Sequence, residues 1–145
     1  MTSIYNNFKK LLFDGSIDLA NDTIEVALID DSISYTPDID GEVYVADVLD
    51  GIVASECSGT GYTRQTVNMT TSLDLADDEA VADADDLTYS GADFGTIQNM
   101  LVFKSVTDDT DSPLIAHVTS TDFPLTTNGG DVTIQWDAEG VLNLN

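Results

Sequence analysis

The last third of the chain alternates short apolar runs with polar turns, and this constrains the fold more than any other feature. Thr96–Lys104 is apolar and strand-like. The run Thr107-Asp108-Asp109-Thr110-Asp111-Ser112-Pro113 contains only polar residues and proline, and Leu114–Val118 answers it as a second apolar segment, so 97–118 is expected to be a hairpin. Asn128-Gly129-Gly130-Asp131 turns the chain into Val132-Thr133-Ile134-Gln135-Trp136, which alternates with the period of two of a strand with one buried face. Val132, Ile134 and Trp136 are expected to point inward. Gly140–Leu144 reads as a closing strand.

Upstream, Thr23–Ile29 reads as the first strand, with Ile24, Val26 and Leu28 on one face. Thr70–Leu75 and Glu79–Ala84 read as a pair turned at Ala76-Asp77-Asp78, and Leu87–Tyr89 as a short strand before Gly91. Ile52–Ala54 and Tyr62–Val67 are expected strands around Ser58-Gly59-Thr60-Gly61. Val43-Tyr44-Val45 favours a strand, while the spacing of Tyr44, Val48 and Leu49 permits one or two helical turns, and a short helix is expected within 43–49. Residues 3–14 carry Ile4, Phe8, Leu11 and Leu12 on one helical stripe, with Ser3 placed to cap the start and Gly15 to stop the end. A helix that short must dock to persist. The expected fold is therefore mostly β, a β-sandwich or jelly roll with one short N-terminal α-helix. It forms a single domain over 1–145, in which 1–14 is a docking helix.

Charge limits what such a chain can do. Its 27 acidic residues face only Lys9, Lys10, Arg64 and Lys104, a formal net charge of −23. Self-repulsion at that density destabilises a compact state in dilute buffer. Near 1 M salt the Debye length falls to about 3 Å and most of that penalty goes. The composition points to a halophile. No basic patch exists to displace counterions, so nucleic acid is not an expected partner. No apolar run reaches membrane-spanning length and no signal peptide is read at the N-terminus, so no membrane is expected either.

Motifs for chemistry are sparse. Asp108, Asp109 and Asp111 share one turn, and Asp83, Asp85 and Asp86 another. Hard cations such as Ca²⁺ or Mg²⁺ take several oxygen ligands, so Asp108, Asp109 and Asp111 are the expected metal residues, or else solvated loop carboxylates. No cofactor is required on this reading, though structural Ca²⁺, Mg²⁺ or monovalent cations are compatible with it. His117 is the one histidine and Cys57 the one cysteine. A side chain on a strand face, polar or interfacial, is expected for the first and a small buried hydrophobe for the second. No nucleophile-elbow G-x-S-x-G occurs, and Gly59-Thr60-Gly61 lacks the length and lysine of a phosphate loop. No catalytic residue is assigned. Asn21-Asp22-Thr23 and Asn68-Met69-Thr70 match the glycosylation sequon.

The opening Met1–Gly15, the following Ile17–Ile24, Tyr35–Asp40, Gly59–Thr63, Asp83–Asp86 and Thr133–Gly140 together resemble small structural proteins of tailed viruses. The resemblance runs from end to end and implies a virion component with no catalytic motif. The acidic excess departs from bacteriophage members and points to a virus of a halophilic archaeon. The resemblance does not separate head from tail; small size, β-sandwich character and a cation-loving surface suit a capsid-surface decoration or turret subunit, with a tail, baseplate or fibre component as the alternative and a tail-associated hydrolase as a remote one. Its expected partners are copies of itself in a symmetric homo-oligomer and the major capsid protein or other virion proteins. It would be made in the host cytoplasm and located in the virion.

Overall fold

A computed structural model describes residues 2–145. The fold is mostly β, with one short N-terminal helix and three antiparallel sheets. None of the sheets is closed into a barrel or a sandwich. The largest contains six strands: β1 (Thr2–Ile4), β2 (Ile24–Asp30), β3 (Gln65–Val67), β7 (Thr96–Lys104), β8 (Leu114–Val118) and β9 (Leu125–Thr126). Its order is β1-β8-β7-β2-β3, with β9 on the end of β7. A three-stranded sheet runs β11-β5-β4, from β4 (Met69–Asp74), β5 (Glu79–Ala84) and β11 (Leu142–Leu144). A two-stranded sheet pairs β6 (Leu87–Tyr89) with β10 (Val132–Ile134).

The hairpin expected over 97–118 forms, with Met100 opposite Val118 and Val102 opposite Ala116. Strand β2 lies on the other side of β7, so β7 is central and buried on both faces. That burial explains its near-continuous apolar run, since only a strand wetted on one face needs to alternate. Ile24, Val26, Leu28, Met100 and Val102 face a core shared with Phe8, Met69, Ala82, Leu87 and Leu142 from the helix and the smaller sheets. Ala27, Ile29, Leu101 and Phe103 face a second core, covered by Tyr5, Tyr35, Val45, Val48 and Ala54. The second layer comes from loops and from α2 (Val45–Val48), a single turn on which Asp47 caps the backbone of Tyr44.

The N-terminus differs from the sequence reading. The helix α1 spans Asn6–Phe13, Tyr5 is its N-cap, and no side chain caps it. Ser3 therefore does not cap it. Ser3 and Ile4 lie in β1, where Ser3 opposes His117 and Ile4 opposes Ala116. Edge pairing with β8 satisfies more backbone groups than another helical turn would, and this overrides the 3.6-residue stripe. The rest of the stripe docks as expected. Phe8 is fully buried, Leu11 and Leu12 pack on the same core, and Gly15 follows the helix at φ +73°. Phe13, on the opposite side, is 94% exposed.

Two expected strands shrink or vanish. Residues 52 and 53 lie in a bend and Ala54 follows without regular structure, its N–H donating to the Val48 carbonyl, with Ile52 exposed. Only Gln65–Val67 of 62–67 pairs as a strand. Gly59–Gly61 is the expected turn. A Cβ on Gly61 would stand 2.7 Å from the Ser90 carbonyl at φ +80°, so the loop can lie against 90–91 only with glycine there. Val132 and Trp136 are partly buried, whereas Ile134 is buried.

Candidate functional site

The three acidic loop clusters do different things. In the 107–113 turn the carboxylates organise backbone. Asp111 Oδ1 accepts from the Thr107 and Asp108 N–H groups, each at 2.9 Å, and these bonds hold its pKa below the ordinary carboxylate value. Asp108 Oδ1 accepts from Thr110 N–H and Oγ1–H. Asp109 points away to Arg64, whose Nη1 and Nη2 donate to its two oxygens at 2.5 and 2.8 Å. The guanidinium lowers the Asp109 pKa. Arg64 also forks onto Glu56 at 2.7 and 2.9 Å and lies 5.3 Å from the centre of the Phe103 ring. One cation thus ties the 56 loop, the start of β3 and the 107–113 turn. Asp108, Asp109 and Asp111 share a turn, but their carboxylates serve the turn and Arg64.

The 83–86 residues act as a bracket for the C-terminal region. Asp86 Oδ2 accepts from Gln135 Nε2 at 3.2 Å and Oδ1 from the Trp136 N–H at 3.4 Å. The Asp85 carbonyl accepts from Trp136 Nε1 at 3.0 Å. Asp83 Oδ1 accepts from the Ala84 N–H.

Among the described residues, the acidic group whose ligand oxygens all lie within 4.8 Å of one another is Asp74, Asp77 and Glu139. It could coordinate a divalent cation. Sequence reasoning missed it because Glu139 is remote in the chain and reaches the β4–β5 turn only through the pairing of β11 with β5. The visible signal was Asp74 and Asp77 flanking a tight turn.

The register gives the three-stranded sheet two unlike faces. Thr71 opposes Ala82, which opposes Leu142; Leu73 opposes Ala80, which opposes Leu144. These six share one face, since cross-strand partners in an antiparallel pair point the same way. Phe8, Leu12 and Leu19 meet that face across a narrow apolar groove. At its outer end Leu73 is 73% exposed and Leu144 40%. The other face carries Ser72, Asp74 and Asp83. An uncovered apolar seam therefore lies behind an acidic face.

One largely buried polar cluster joins Tyr5, Tyr35, Glu42 and His117. Tyr35 Oη–H donates to Glu42 Oε2 at 2.7 Å, and the Tyr5 and Tyr35 hydroxyls are 2.7 Å apart. Burial pushes the Glu42 carboxyl and both phenols upward. The His117 ring meets Tyr35 edge-on at 5.3 Å. It is 4% exposed, its Nε2 has no partner, and burial lowers its pKa to about 4. Cys57 is buried, as expected, and desolvation pushes its thiol up to about 12. Asn21 and Asn68 are exposed. Among the described residues, no helix is long and apolar enough to cross a membrane. Comparison with family models, with curated proteins and with solved structures finds no match.

Proposed function

We propose that this chain is a virion structural protein of a tailed virus of a halophilic archaeon, a subunit that decorates the capsid surface or builds its turrets. The observation that carries this reading is the apolar groove of the three-stranded sheet, open to solvent at Leu73, Ala80 and Leu144, on a chain of net charge −23. In brine, ion pairs between subunits are screened, whereas apolar burial strengthens with excluded salts. Such a seam is the kind of contact a coat subunit of a halophile needs. Strand β11 adds an unpaired edge beside it, and closed symmetry is a common way to cover such edges. The proposal includes a symmetric homo-oligomer seated on the major capsid protein.

A sandwich-like architecture belongs to the same proposal. It is supported by the two smaller sheets sharing one core with one face of the large sheet. The hydrolase alternative is disfavoured by the setting of His117, which is buried against Tyr35 and lacks a partner for Nε2. The test is mass determination in about 2 M KCl, with and without chelator, together with labelling of intact virions. Rings located on heads support the proposal. A strict monomer found on tails and absent from heads refutes it and favours the tail, baseplate or fibre reading.

A further inference from the structure

A second cleft of about 350 Å³ lies at the end of the large sheet, between the 119–122 loop and the 134–141 segment. Its floor is apolar: Met100, Val118, Ile134 and Val141 are all buried. Its rim carries Ser120, Thr121, Asp122, Gln135 and Asp137, and its wall is Trp136, the single tryptophan of the chain. Ligand clefts typically enclose about 300–1,000 Å³, and this one reaches that size with an apolar floor under a lining that is more polar than apolar overall.

The indole is fixed in place. Nε1–H donates to the Asp85 carbonyl, the Trp136 N–H to Asp86, and the partly buried side chain packs against the core. Asp86 also holds the Gln135 amide through Nε2. A pinned aromatic wall flanked by carboxylate, amide and hydroxyl groups suits a ligand with a C–H face and a fringe of hydroxyls. The C–H face packs on the ring, and the hydroxyls donate to carboxylates and exchange bonds with Ser, Thr and Gln.

Charge narrows the class. Among the described residues, no lysine, arginine or histidine lines the cleft, which disfavours a phosphate, sulfate or carboxylate. A quaternary ammonium could use Trp136 and the two aspartates, but such cations are held by cages of several aromatics, and this cleft has one. It would also leave the hydroxyl and amide rim unused. We propose that the cleft is a binding site for a neutral saccharide, seated against Trp136 and hydrogen-bonded by Asp122 and Asp137. The site does not depend on the virion reading and would operate on a free subunit as well as an assembled one.

Because Trp136 is the only tryptophan, its fluorescence reports this cleft without a label. The protein in about 2 M KCl is titrated with methyl mannoside, methyl glucoside, N-acetylglucosamine and their short oligomers, and separately with tetramethylammonium chloride. A saturable spectral change with at least one saccharide is expected. Asp122→Asn and Asp137→Asn should each weaken it roughly tenfold, the loss expected for one charge-assisted hydrogen bond, with the melting temperature held. Both aspartates are exposed, so these variants test the site even if Trp136→Phe fails to fold. A response to tetramethylammonium alone, no saturable response to any saccharide, or saccharide binding indifferent to both aspartate variants would overturn the assignment.

Discussion

His117 gives this protein a specific weakness in mild acid. The ring is buried, its Nε2 lacks a partner, and burial lowers its pKa from 6.5 to about 4. The unfolded chain therefore binds a proton on this residue at a pH where the folded chain does not. A base lowered in this way contributes stability that is whole above pH 6.5 and is lost as pH falls towards 4. At about 1.4 kcal/mol per unit, the loss is about 2 kcal/mol at pH 5 and approaches about 3 kcal/mol below pH 4. For a domain of this size, 2 kcal/mol corresponds to roughly 4–8 °C of melting temperature. Glu42 works in the opposite sense, since a carboxyl raised by burial gains stability as pH falls through its folded pKa. The informative quantity is thus the difference between wild type and His117→Phe, which keeps a ring against Tyr35 but cannot titrate. Melting curves at pH 7.5 and pH 5, both in about 2 M KCl, should show the wild type losing several degrees more than the variant. Equal losses in the two proteins would refute the reasoning and assign the acid limb to carboxylates.

Three further outcomes are expected. Phe8→Ala should cost about 3–5 kcal/mol in chemical denaturation, because the side chain is fully buried in the core that α1 shares with the sheets; a cost below 1 kcal/mol would mean the helix is not docked. The melting temperature should rise steeply from about 0.1 to 2 M KCl as the −23 charge is screened, and equal melting in dilute buffer and brine would remove the halophile argument. Millimolar Ca²⁺ should raise the melting temperature of the wild type at low salt, and Asp77→Asn should abolish the part of that rise due to Asp74, Asp77 and Glu139; an undiminished rise would show diffuse screening instead.

What could be read from the sequence follows the range of the interactions. Hairpins were legible because both strands and the turn lie in one window: β7 with β8, and β4 with β5, fall where alternation and turn residues place them. Residues 2–4 were misread because a local helical stripe competes with pairing to β8, more than a hundred residues away. Ile52 and Val53 look like a strand, yet no sheet edge reaches them, so they stay in an exposed bend. The same limit governs the sites. The Asp108–Asp111 cluster was conspicuous as adjacent letters, but Arg64 takes Asp109 out of it. The acidic group at Asp74 and the cleft at Trp136 exist only because the C-terminal residues return to strands laid down earlier.

The strand order also sets a schedule. In the large sheet the only partners joined by a short connection are β7 and β8. Strand β2 must wait for β7, about seventy residues later, and β1 must wait for β8. Folding dominated by such distant partners is slow, on the order of milliseconds to seconds. During synthesis the Ile24–Ile29 segment emerges with the backbone edge that β7 will pair left open until the β7–β8 hairpin arrives. The acidic residues around it, such as Asp18, Asp22, Asp30 and Asp31, then keep one nascent chain from sticking to another. The charge that strains the finished molecule in dilute buffer protects the unfinished one.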